Sequence, residues 1–374
     1  TVGGDGFGIG NGNWNVTGTV NARNVKIGPK GNNAVSGVVG DGTLNISGAL
    51  DWQGEMAGSG VTNLLAGSTT SLQQYARQDG RTVNNYGTAT LTNFGGLYLG
   101  NAATMNNYGT FTSNGNCNGL RQTVSGQTGT LNNLGVYNKP AGHDCRAYVG
   151  VTFINGPGGI LNVLGAPGFG MEGGQYKQTG GVLNLATSES DLWTNSLPHL
   201  LQGGIVKGTG SVTGTGSGST NNTGAEISPG AASSSTGTLT IGGPYAQSGS
   251  GLLRIDLGGT TPGTQHDRVV VNGAATLGGT LAVGTINGYV PPVSSQYSVL
   301  AYTSRTGTFG TTAGGSYTVQ YNATDAKVVI AGDIQCTSGT FSDVPPGSTF
   351  HPFISCLVNR GVMGGYSDCT FRPN

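Results

Sequence analysis

The acidic residues that come closest to a catalytic group lie near the middle of the chain. Glu189 and Asp191 are separated by one residue and are followed by Trp193 and His199. Two alternate residues of a strand share a face, and cleavage of a sugar bond uses a positioned acid and a positioned base. A solvated loop explains the same pair without chemistry. The other carboxylates are scattered, so we assign no catalytic residue and expect no enzyme activity.

The cysteines suggest cross-links rather than catalysis or metal binding. His143 and Cys145 are too close in sequence for a dyad, because neighbouring side chains of an extended segment point to opposite faces. No Cys-x-x-Cys pair or zinc-type spacing occurs, so no metal site is expected. The interval from Cys117 to Cys145 is close to one repeat plus a loop, which predicts a staple between adjacent coils. The disulfide candidates are Cys117, Cys145, Cys336, Cys356 and Cys369.

The glycine-rich residues 4–10 superficially suggest a phosphate-binding loop. They lack a preceding strand, a following helix and a Lys-Ser/Thr ending. Phe7 and Ile9 alternate with glycine there, which instead suits an extended arm or an edge strand that another subunit covers. We therefore expect no nucleotide and no other cofactor.

The strongest organising signal is a repeated tetrad. Asn-Asn-Tyr-Gly occurs at residues 84–87, returns at 106–109, and comes back as Asn-Asn-Leu-Gly at 132–135. A period in the twenties that is built from strand-like words is typical of a solenoid in which each repeat is one turn. The alternative is an antiparallel sandwich, but hairpin turns would recur roughly every 8–12 residues without this longer register.

Two mechanisms can explain the repeated asparagine. Asparagine and glycine tolerate the left-handed backbone that a corner requires. Stacked asparagine side chains can also hydrogen-bond to one another along the axis. We expect both in this chain.

Short segments in which apolar and small polar residues alternate make up most of the chain, as expected for strands with one buried face. Residues 62–77 are the one earlier stretch that could form a short helix or a capping loop, and residues 353–358 form an apolar segment with helical periodicity. Composition divides the chain into three zones: residues 1–200 with Asn/Gly-corner turns, residues 201–335 with shorter Gly/Thr/Ser-rich turns, and residues 336–374 with several prolines.

The composition excludes several classes of protein. Charged residues make up 9 % of the chain and the formal net charge is zero, which argues against nucleic acid as a partner. The hydrophobic fraction of 35 % with so little charge argues against disorder. No apolar run is long enough for a membrane helix.

Residues 225–310 resemble the later part of secreted parallel β-helix proteins such as autotransporter passengers. This resemblance implies a right-handed parallel β-helix with roles in adhesion and surface display. The words that carry it are Ile227-Ser228-Pro229-Gly230, Gly237-Thr238-Leu239-Thr240-Ile241, His266-Asp267-Arg268-Val269-Val270-Val271 and Ala275-Thr276-Leu277-Gly278-Gly279-Thr280-Leu281.

The end of the chain, from about residue 340, is similar to the first half of an S-layer homology (SLH) module. Such modules anchor bacterial proteins to cell-wall polymers, but their Thr-Arg-Ala-Glu-like binding word would lie beyond Asn374, so wall binding is not carried over. Cys369 stands where the family usually has glycine, and we favour a Cys336–Cys356 pair that leaves Cys369 for another chain. The matching residues are Phe341, Asp343, Pro345, Phe353, Gly365, Tyr366, Phe371, Arg372 and Pro373.

The sequence therefore predicts an all-β protein, a right-handed parallel β-helix solenoid with a small α-containing SLH-like segment. We expect an extracellular, structural cell-surface protein that assembles head-to-tail with other copies into a filament or a surface layer, with an adhesive role. Cell-wall or surface glycans are the other expected partners. The alternative is a polysaccharide-binding or polysaccharide-cleaving protein whose exposed aromatic side chains stack on sugars: Trp52, Tyr86, Tyr108 and Trp193.

Overall fold

The structure is a computed structural model of the chain. It describes residues 7–9, 12–29, 37–73, 75–92, 96–114, 119–123, 129–143, 145–215, 218–232, 234–331, 341, 343–345, 347–359 and 370–371.

Strands dominate the described residues, with one helix near the C-terminus. In chain order the strands are β1 Phe7–Ile9, β2 Asn13–Asn15, β3 Thr19–Ala22, β4 Val25–Ile27, β5 Gly37–Val39, β6 Thr43–Ile46, β7 Ala49–Trp52, β8 Glu55–Ala57, β9 Val61–Leu64, β10 Thr69–Leu72, β11 Tyr75–Asp79, β12 Thr82–Asn85, β13 Thr88–Leu91, β14 Gly96–Gly100, β15 Thr104–Asn107, β16 Thr110–Ser113, β17 Leu120–Gln122, β18 Thr130–Asn133, β19 Val136–Lys139, β20 Ala147–Val149, β21 Thr152–Asn155, β22 Ile160–Val163, β23 Phe169–Met171, β24 Tyr176–Leu185, β25 Asp191–Thr194, β26 His199–Gly208, β27 Ser211–Gly214, β28 Thr220–Asn222, β29 Glu226–Pro229, β30 Thr238–Ile241, β31 Tyr245–Gln247, β32 Leu252–Leu257, β33 Arg268–Val271, β34 Ala274–Leu277, β35 Thr280–Thr285, β36 Gln296–Ala301, β37 Ser304–Gly307, β38 Thr311–Gly314, β39 Tyr317–Tyr321 and β40 Asp325–Ile330; the helix is α1 His351–Asn359.

The strands wind into a parallel solenoid. Most strands pair in parallel with the strand three places later, as β12 does with β15 and β15 with β18. Three ladders result, and the ladder that runs β2-β5-β8-β11-β14 and onwards to β36 forms a sheet of its own, here called the second sheet. The parallel β-solenoid predicted from the repeat is confirmed, and the antiparallel sandwich is wrong for this chain.

The repeated tetrad lies at equivalent positions of successive turns. Asn84 is opposite Asn106, and Asn106 is opposite Asn132. The glycine that ends the tetrad is required by close stacking, because a Cβ atom on Gly109 would collide with the carbonyl of Gly87 one turn below. The two unequal intervals between the tetrads are therefore each one turn long, with loops of different size.

Two asparagine ladders follow from this stacking. The outer ladder has one Nδ2–Oδ1 hydrogen bond of 2.8–2.9 Å for each step between turns, and it consists of Asn21, Asn45, Asn63, Asn84, Asn106 and Asn132. The inner ladder is fully buried, has bonds of 2.8–2.9 Å, and consists of Asn85, Asn107, Asn133 and Asn155. The predicted hydrogen-bonded stacks are confirmed.

The other expected role of these asparagines, a left-handed backbone at a corner, is wrong. Their backbones are in strands and none of them has positive φ; the non-glycine residues with positive φ among those described are Asn101, Ala102, Asn287 and Ser294. The tetrad asparagines therefore serve side-chain hydrogen bonding between turns and not corner geometry.

The core runs the length of the solenoid and is filled by alternate residues of each strand. In β16 and β19, for example, Phe111 and Tyr137 are buried and their rings stack with centroids 4.9 Å apart. Tyr137 then meets the edge of Phe153 on the next turn, at 5.3 Å. Burial of these apolar columns stabilises the fold together with the backbone hydrogen bonds between turns.

Residues 62–77 are not helical. They belong to β9, β10 and β11, and Thr62 and Thr70 are buried at alternate positions beside Leu64 and Leu72. Threonine at an inward position hides the period-2 pattern because it reads as polar in the sequence.

The pairing changes direction near the C-terminal end of the solenoid. β40 pairs antiparallel with β36, and β39 pairs antiparallel with β40. This hairpin covers the last strand of the second sheet, which is one way that proteins protect a sheet edge.

The division predicted at residue 200 stays a prediction. It falls inside β26, which continues in parallel register with β24 before it and with β28 and β29 after it.

Candidate functional site

The structure separates the residues of the predicted acidic group. Glu189 is exposed on the turn before β25, whereas Asp191 begins β25 and binds Arg146, with 2.6 Å between Asp191 Oδ2 and Arg146 Nη2. The hydroxyls of Ser211 and Thr213 donate to Asp191 Oδ1 over 3.2 and 2.6 Å. The two carboxylates do not share a strand face because Glu189 is not in a strand.

His199 lies in the core and not beside these carboxylates on the outer surface. Its side chain is buried in an inward column, 6.2 Å from the ring of Tyr176. Burial lowers the pKa of His199 to about 4, so the imidazole is neutral at physiological pH. This residue packs the solenoid and does not face a substrate.

The four aromatic residues proposed to stack on sugars differ in their exposure in the structure. Trp52 is completely buried and donates its indole N–H to the carbonyl of Gly54 over 3.0 Å, so its predicted exposure is wrong. It ends a strand at an inward position of the period-2 pattern. Tyr86 and Tyr108 are 43 % and 44 % exposed and stack on each other, with centroids 4.9 Å apart and ring planes 6° apart.

Trp193 lies on the outer surface of the second sheet and is partly exposed. The guanidinium of Arg146 sits over its indole, 5.5 Å from the ring centroid, and also pairs with Asp191. A cation held against an aromatic face in this way orders both side chains.

A cleft opens on this outer surface over the turns that precede Trp193. Its volume is about 620 Å³, and we call it the second-sheet cleft. The residues that line it are Tyr98, Arg121, Gln122, Tyr148, Gly150, Glu172 and Gly173.

Strand register explains how residues so far apart in sequence meet at the cleft. Tyr98 of β14 is directly opposite Arg121 of β17. Leu120 of β17 is opposite Val149 of β20, which places Gly150 one turn above Arg121. Val149 is in turn opposite Met171, so Glu172 follows Gly150 in the same column.

Sequence reasoning did not find the cleft, although a signal was present. Tyr98 lies between Leu97 and Leu99, and Tyr148 lies between Ala147 and Val149; all four of these neighbours are buried. A tyrosine flanked by inward apolar residues must point outwards on a strand. What the sequence does not give is the loop length that brings the two tyrosines to one face two turns apart.

Arg81 was also missed, and it is completely buried near the start of β12. Its guanidinium donates to Thr62 Oγ1 over 2.8 Å, to the carbonyls of Gly42 and Val61 over 3.0 Å each, and to that of Gly40 over 3.1 Å. These groups belong to the two preceding turns, so one side chain ties three turns together.

Other buried ionisable groups have structural partners. Asp267 accepts the backbone N–H groups of Gly237 and Asp256 over 2.9 Å each, and burial raises the pKa of its carboxyl to about 7. Lys139 donates to the carbonyl of Pro140 over 2.6 Å, and burial lowers the pKa of its amine to about 8. Both groups fix loops or corners of the solenoid.

The predicted cysteine pairings stay predictions. Cys117, Cys336 and Cys369 lie outside the described residues, and Cys356 is described only as part of the backbone of α1. In the part of the chain that the structure describes, no cluster of potential metal ligands occurs and no helix is long and apolar enough to cross a membrane.

The C-terminal segment has a small core of its own. Phe341, Val344 and Ile354 are buried together, and the ring of Phe371 packs 5.4 Å from that of Phe341. Asp343 accepts the backbone N–H of Phe371 over 2.7 Å, which joins the two ends of the segment.

The remaining predicted motif residues divide into two groups. Pro345 accepts the N–H of Ser348 just before α1, and Phe353 lies on α1 with 68 % of its side chain exposed. The helix predicted over residues 353–358 is confirmed as α1. Gly365, Tyr366, Arg372 and Pro373 lie outside the described residues.

Comparison with known families decides the nature of this segment. Residues 340–374 match the family model of the S-layer homology domain. The chain carries an SLH domain. Such domains are characteristic of surface-anchored extracellular proteins, so the protein is extracellular and located at the cell surface. No curated protein and no solved structure matched the chain.

The SLH domain also defines the class of attachment. SLH domains bind cell-wall polymers, which is consistent with surface glycans as partners of this chain. The match covers the segment whose core contains Phe341 and Phe371, and the solenoid lies outside it.

Proposed function

We propose that the protein is a structural subunit of a cell surface, anchored to the wall through its SLH domain and presenting the β-solenoid as a rigid spacer or adhesive element. The observation that carries this proposal is the SLH match at residues 340–374 in a chain whose other described strands form a parallel solenoid that ends in the antiparallel hairpin of β39 and β40. A rod with a wall-binding segment near one end suits display better than it suits catalysis.

The finer proposal is self-assembly into a filament or a surface layer. Solenoid ends present strand edges that can pair with another copy, and head-to-tail pairing gives an open filament. β39 is the last strand in the order of the second sheet, so contact at that end would pair a neighbouring copy with an antiparallel edge.

Electron microscopy and sedimentation of the purified protein test the assembly. We expect filaments or ordered arrays whose abundance rises with protein concentration. Short rods of one length, with a monomer sedimentation coefficient at every concentration, would reject self-assembly while leaving wall anchoring intact.

Binding to purified cell walls of the organism that makes the protein tests anchoring. Phe341→Ala should release most of the protein from the walls, because it removes a ring from the small core of the SLH domain. Phe353→Ala is the matched control, since this ring is 68 % exposed and its removal should change wall binding little. Equal binding by both variants and the unaltered protein would contradict anchoring through this segment.

A second candidate function is binding or cleavage of a polysaccharide by the solenoid itself, and the second-sheet cleft favours the binding form. We propose that no bond is cleaved, because Asp191 is committed to Arg146 and two hydroxyls and Glu189 stands apart on a turn. Release of reducing ends from a polysaccharide panel, lost in Glu189→Gln, would overturn this.

A further inference from the structure

We propose that the second-sheet cleft is a binding site for a neutral polysaccharide chain, with Tyr98 and Tyr148 as stacking surfaces and Arg121, Gln122 and Glu172 as partners of sugar hydroxyls. The inference names a site and a ligand class for the second candidate function. It does not depend on wall anchoring or on filament formation.

Glycine makes the recess. Gly150 lies in the outward column between Arg121 and Glu172, where any other residue would place a side chain. A Cβ atom on Gly150 would have only backbone atoms nearby, at 3.3 Å from the carbonyl oxygen of Glu172 and 3.8 Å from the amide nitrogen of Gln122. The missing side chain therefore leaves the volume that the neighbouring tyrosines and charged groups surround.

Further glycines let the tyrosine rings lie against the sheet. A Cβ atom on Gly96 would come within 3.0 Å of Cε2 of Tyr98, and one on Gly170 would come within 3.4 Å of Cδ1 of Tyr148. Each ring thus lies over a glycine, along the wall of the cleft. A partly exposed aromatic face with a polar edge is the surface on which the apolar face of a sugar ring packs.

The polar groups of the cleft suit hydroxyls rather than charged groups. Arg121 Nη1 lies 4.0 Å from Glu172 Oε2, and Gln122 Nε2 donates to the carbonyl of Gly150 over 2.7 Å. A guanidinium, a carboxylate and an amide within one cleft supply both donors and acceptors, as a polyhydroxylated ligand requires.

The balance of charge selects a neutral ligand. On this face Arg77 pairs with Glu55 at 3.1 Å and Arg146 pairs with Asp191 at 2.6 Å, in addition to the Arg121–Glu172 pair. Each of these arginines has an acidic partner, so together these described groups carry no excess of positive charge to attract a polyanion. This argues against acidic polysaccharides and against nucleic acid.

The cleft extends along the solenoid axis, which suits a polysaccharide chain. Tyr98 and Glu172 are three turns apart along the solenoid axis, which corresponds to ~14 Å at ~4.8 Å for each turn. Trp193 continues the same face one turn further on, with Arg146 against its ring. A short run of sugar units lying along the axis can contact the tyrosines and reach the tryptophan.

Isothermal titration calorimetry of the full chain with cellohexaose, xylohexaose, mannohexaose and chitohexaose tests the site. We expect binding of at least one of these neutral oligosaccharides, and Tyr148→Ala should weaken it at least tenfold. Phe353→Ala is the matched control, because it removes an exposed aromatic ring that does not line the cleft and should leave affinity within twofold. Failure of all four oligosaccharides at millimolar concentration, or an equal loss in Phe353→Ala, overturns the proposal.

Further variants separate binding from folding and from wall anchoring. Tyr148→Phe keeps the ring and should retain affinity within threefold, whereas Gly150→Leu should abolish binding by filling the recess with both tyrosines in place. Phe341→Ala should leave oligosaccharide binding unchanged even where it releases the protein from cell walls. Tighter binding of polygalacturonate than of any neutral oligosaccharide would contradict the assignment of ligand class.

Discussion

At the scale of single residues, the two asparagines of each tetrad have unequal roles. Asn106 belongs to the outer ladder and is half-buried, whereas Asn107 belongs to the inner ladder and is completely buried. Asn107 Nδ2 also donates to the carbonyl of Val136 over 3.0 Å. A buried amide that loses a partner leaves an unsatisfied group, while water replaces the partner at the surface.

Substitution of these neighbours should therefore give different losses of stability. Asn107→Ala should lower the free energy of unfolding by about 3 kcal/mol, because Asn133 loses its donor and Asn85 loses an acceptor in the core. Asn106→Ala should cost only about 1 kcal/mol. Denaturant unfolding of both variants measures the difference. Equal losses of unfolding free energy would show that the inner ladder contributes no more to stability than the outer ladder.

His199 provides a test by pH. Its folded-state pKa of about 4 lies below the ordinary 6.5, so the unfolded chain binds more protons between these values. Stability from this residue is therefore present above pH 6.5 and is lost as pH falls towards 4, by at most about 1.4 kcal/mol for each pH unit. Asp267 contributes the opposite slope over the whole of this range, because burial raises its pKa from 3.8 to about 7.

His199→Phe isolates the contribution of the imidazole. The variant extends the aromatic column of Phe153 and Tyr176 and carries no titratable group. The difference in unfolding free energy between variant and unaltered protein, measured from pH 4 to 7, should grow in favour of the variant as pH falls. A difference independent of pH would contradict the burial of a neutral histidine.

At the scale of elements, the strands were largely predictable and the corners were not. Words such as residues 43–46 and 88–91 alternate apolar and polar residues and are strands β6 and β13. Residues 62–77 were wrongly expected to form a helix, because threonines occupy inward positions of their strands and hide the alternation of apolar and polar residues. Arg81 left no signal at all, since nothing in a sequence shows which carbonyls of other turns a side chain will reach.

Arg81 yields a prediction about neighbouring turns. Arg81→Leu should lower the free energy of unfolding by about 3–5 kcal/mol, because it removes the buried hydrogen bonds of the guanidinium to the Thr62 hydroxyl and to carbonyls of the two preceding turns. Arg77→Leu is the matched control on the adjacent strand: its ion pairs with Glu55 and Asp79 are partly exposed and should be worth about 1 kcal/mol or less. Equal effects of Arg81→Leu and Arg77→Leu on thermal unfolding would contradict the role of Arg81 in joining three turns.

The cysteines give a second prediction at this scale. A Cys117–Cys145 bond would join adjacent turns, and peptide mass spectrometry without reduction should recover that linked pair. The same experiment tests the Cys336–Cys356 pair and a Cys369 bond between chains. A free Cys117 in material that was never exposed to reductant would contradict the staple.

At the scale of the whole molecule, one repeat in the sequence was enough to predict the solenoid, because a period equal to one turn leaves few other folds open. The SLH segment was predicted from short motifs that include Phe341 and Asp343. In the structure the Phe341 ring is buried in a small core, and the Asp343 carboxylate accepts the backbone N–H of Phe371. The cleft could not be predicted from the sequence, because it depends on strand register across turns of unequal length. The proposed function combines a wall anchor with a long outer surface, and the proposed glycan site lies on that surface.

The direction in which neighbouring strands run is the measurement on which this account most directly depends. A cryo-electron-microscopy map or crystal structure that resolves side chains should show strands of successive turns running in parallel ~4.8 Å apart, with the amide of Asn84 between those of Asn63 and Asn106. Antiparallel neighbours across residues 61–107, with these asparagines apart, would contradict it.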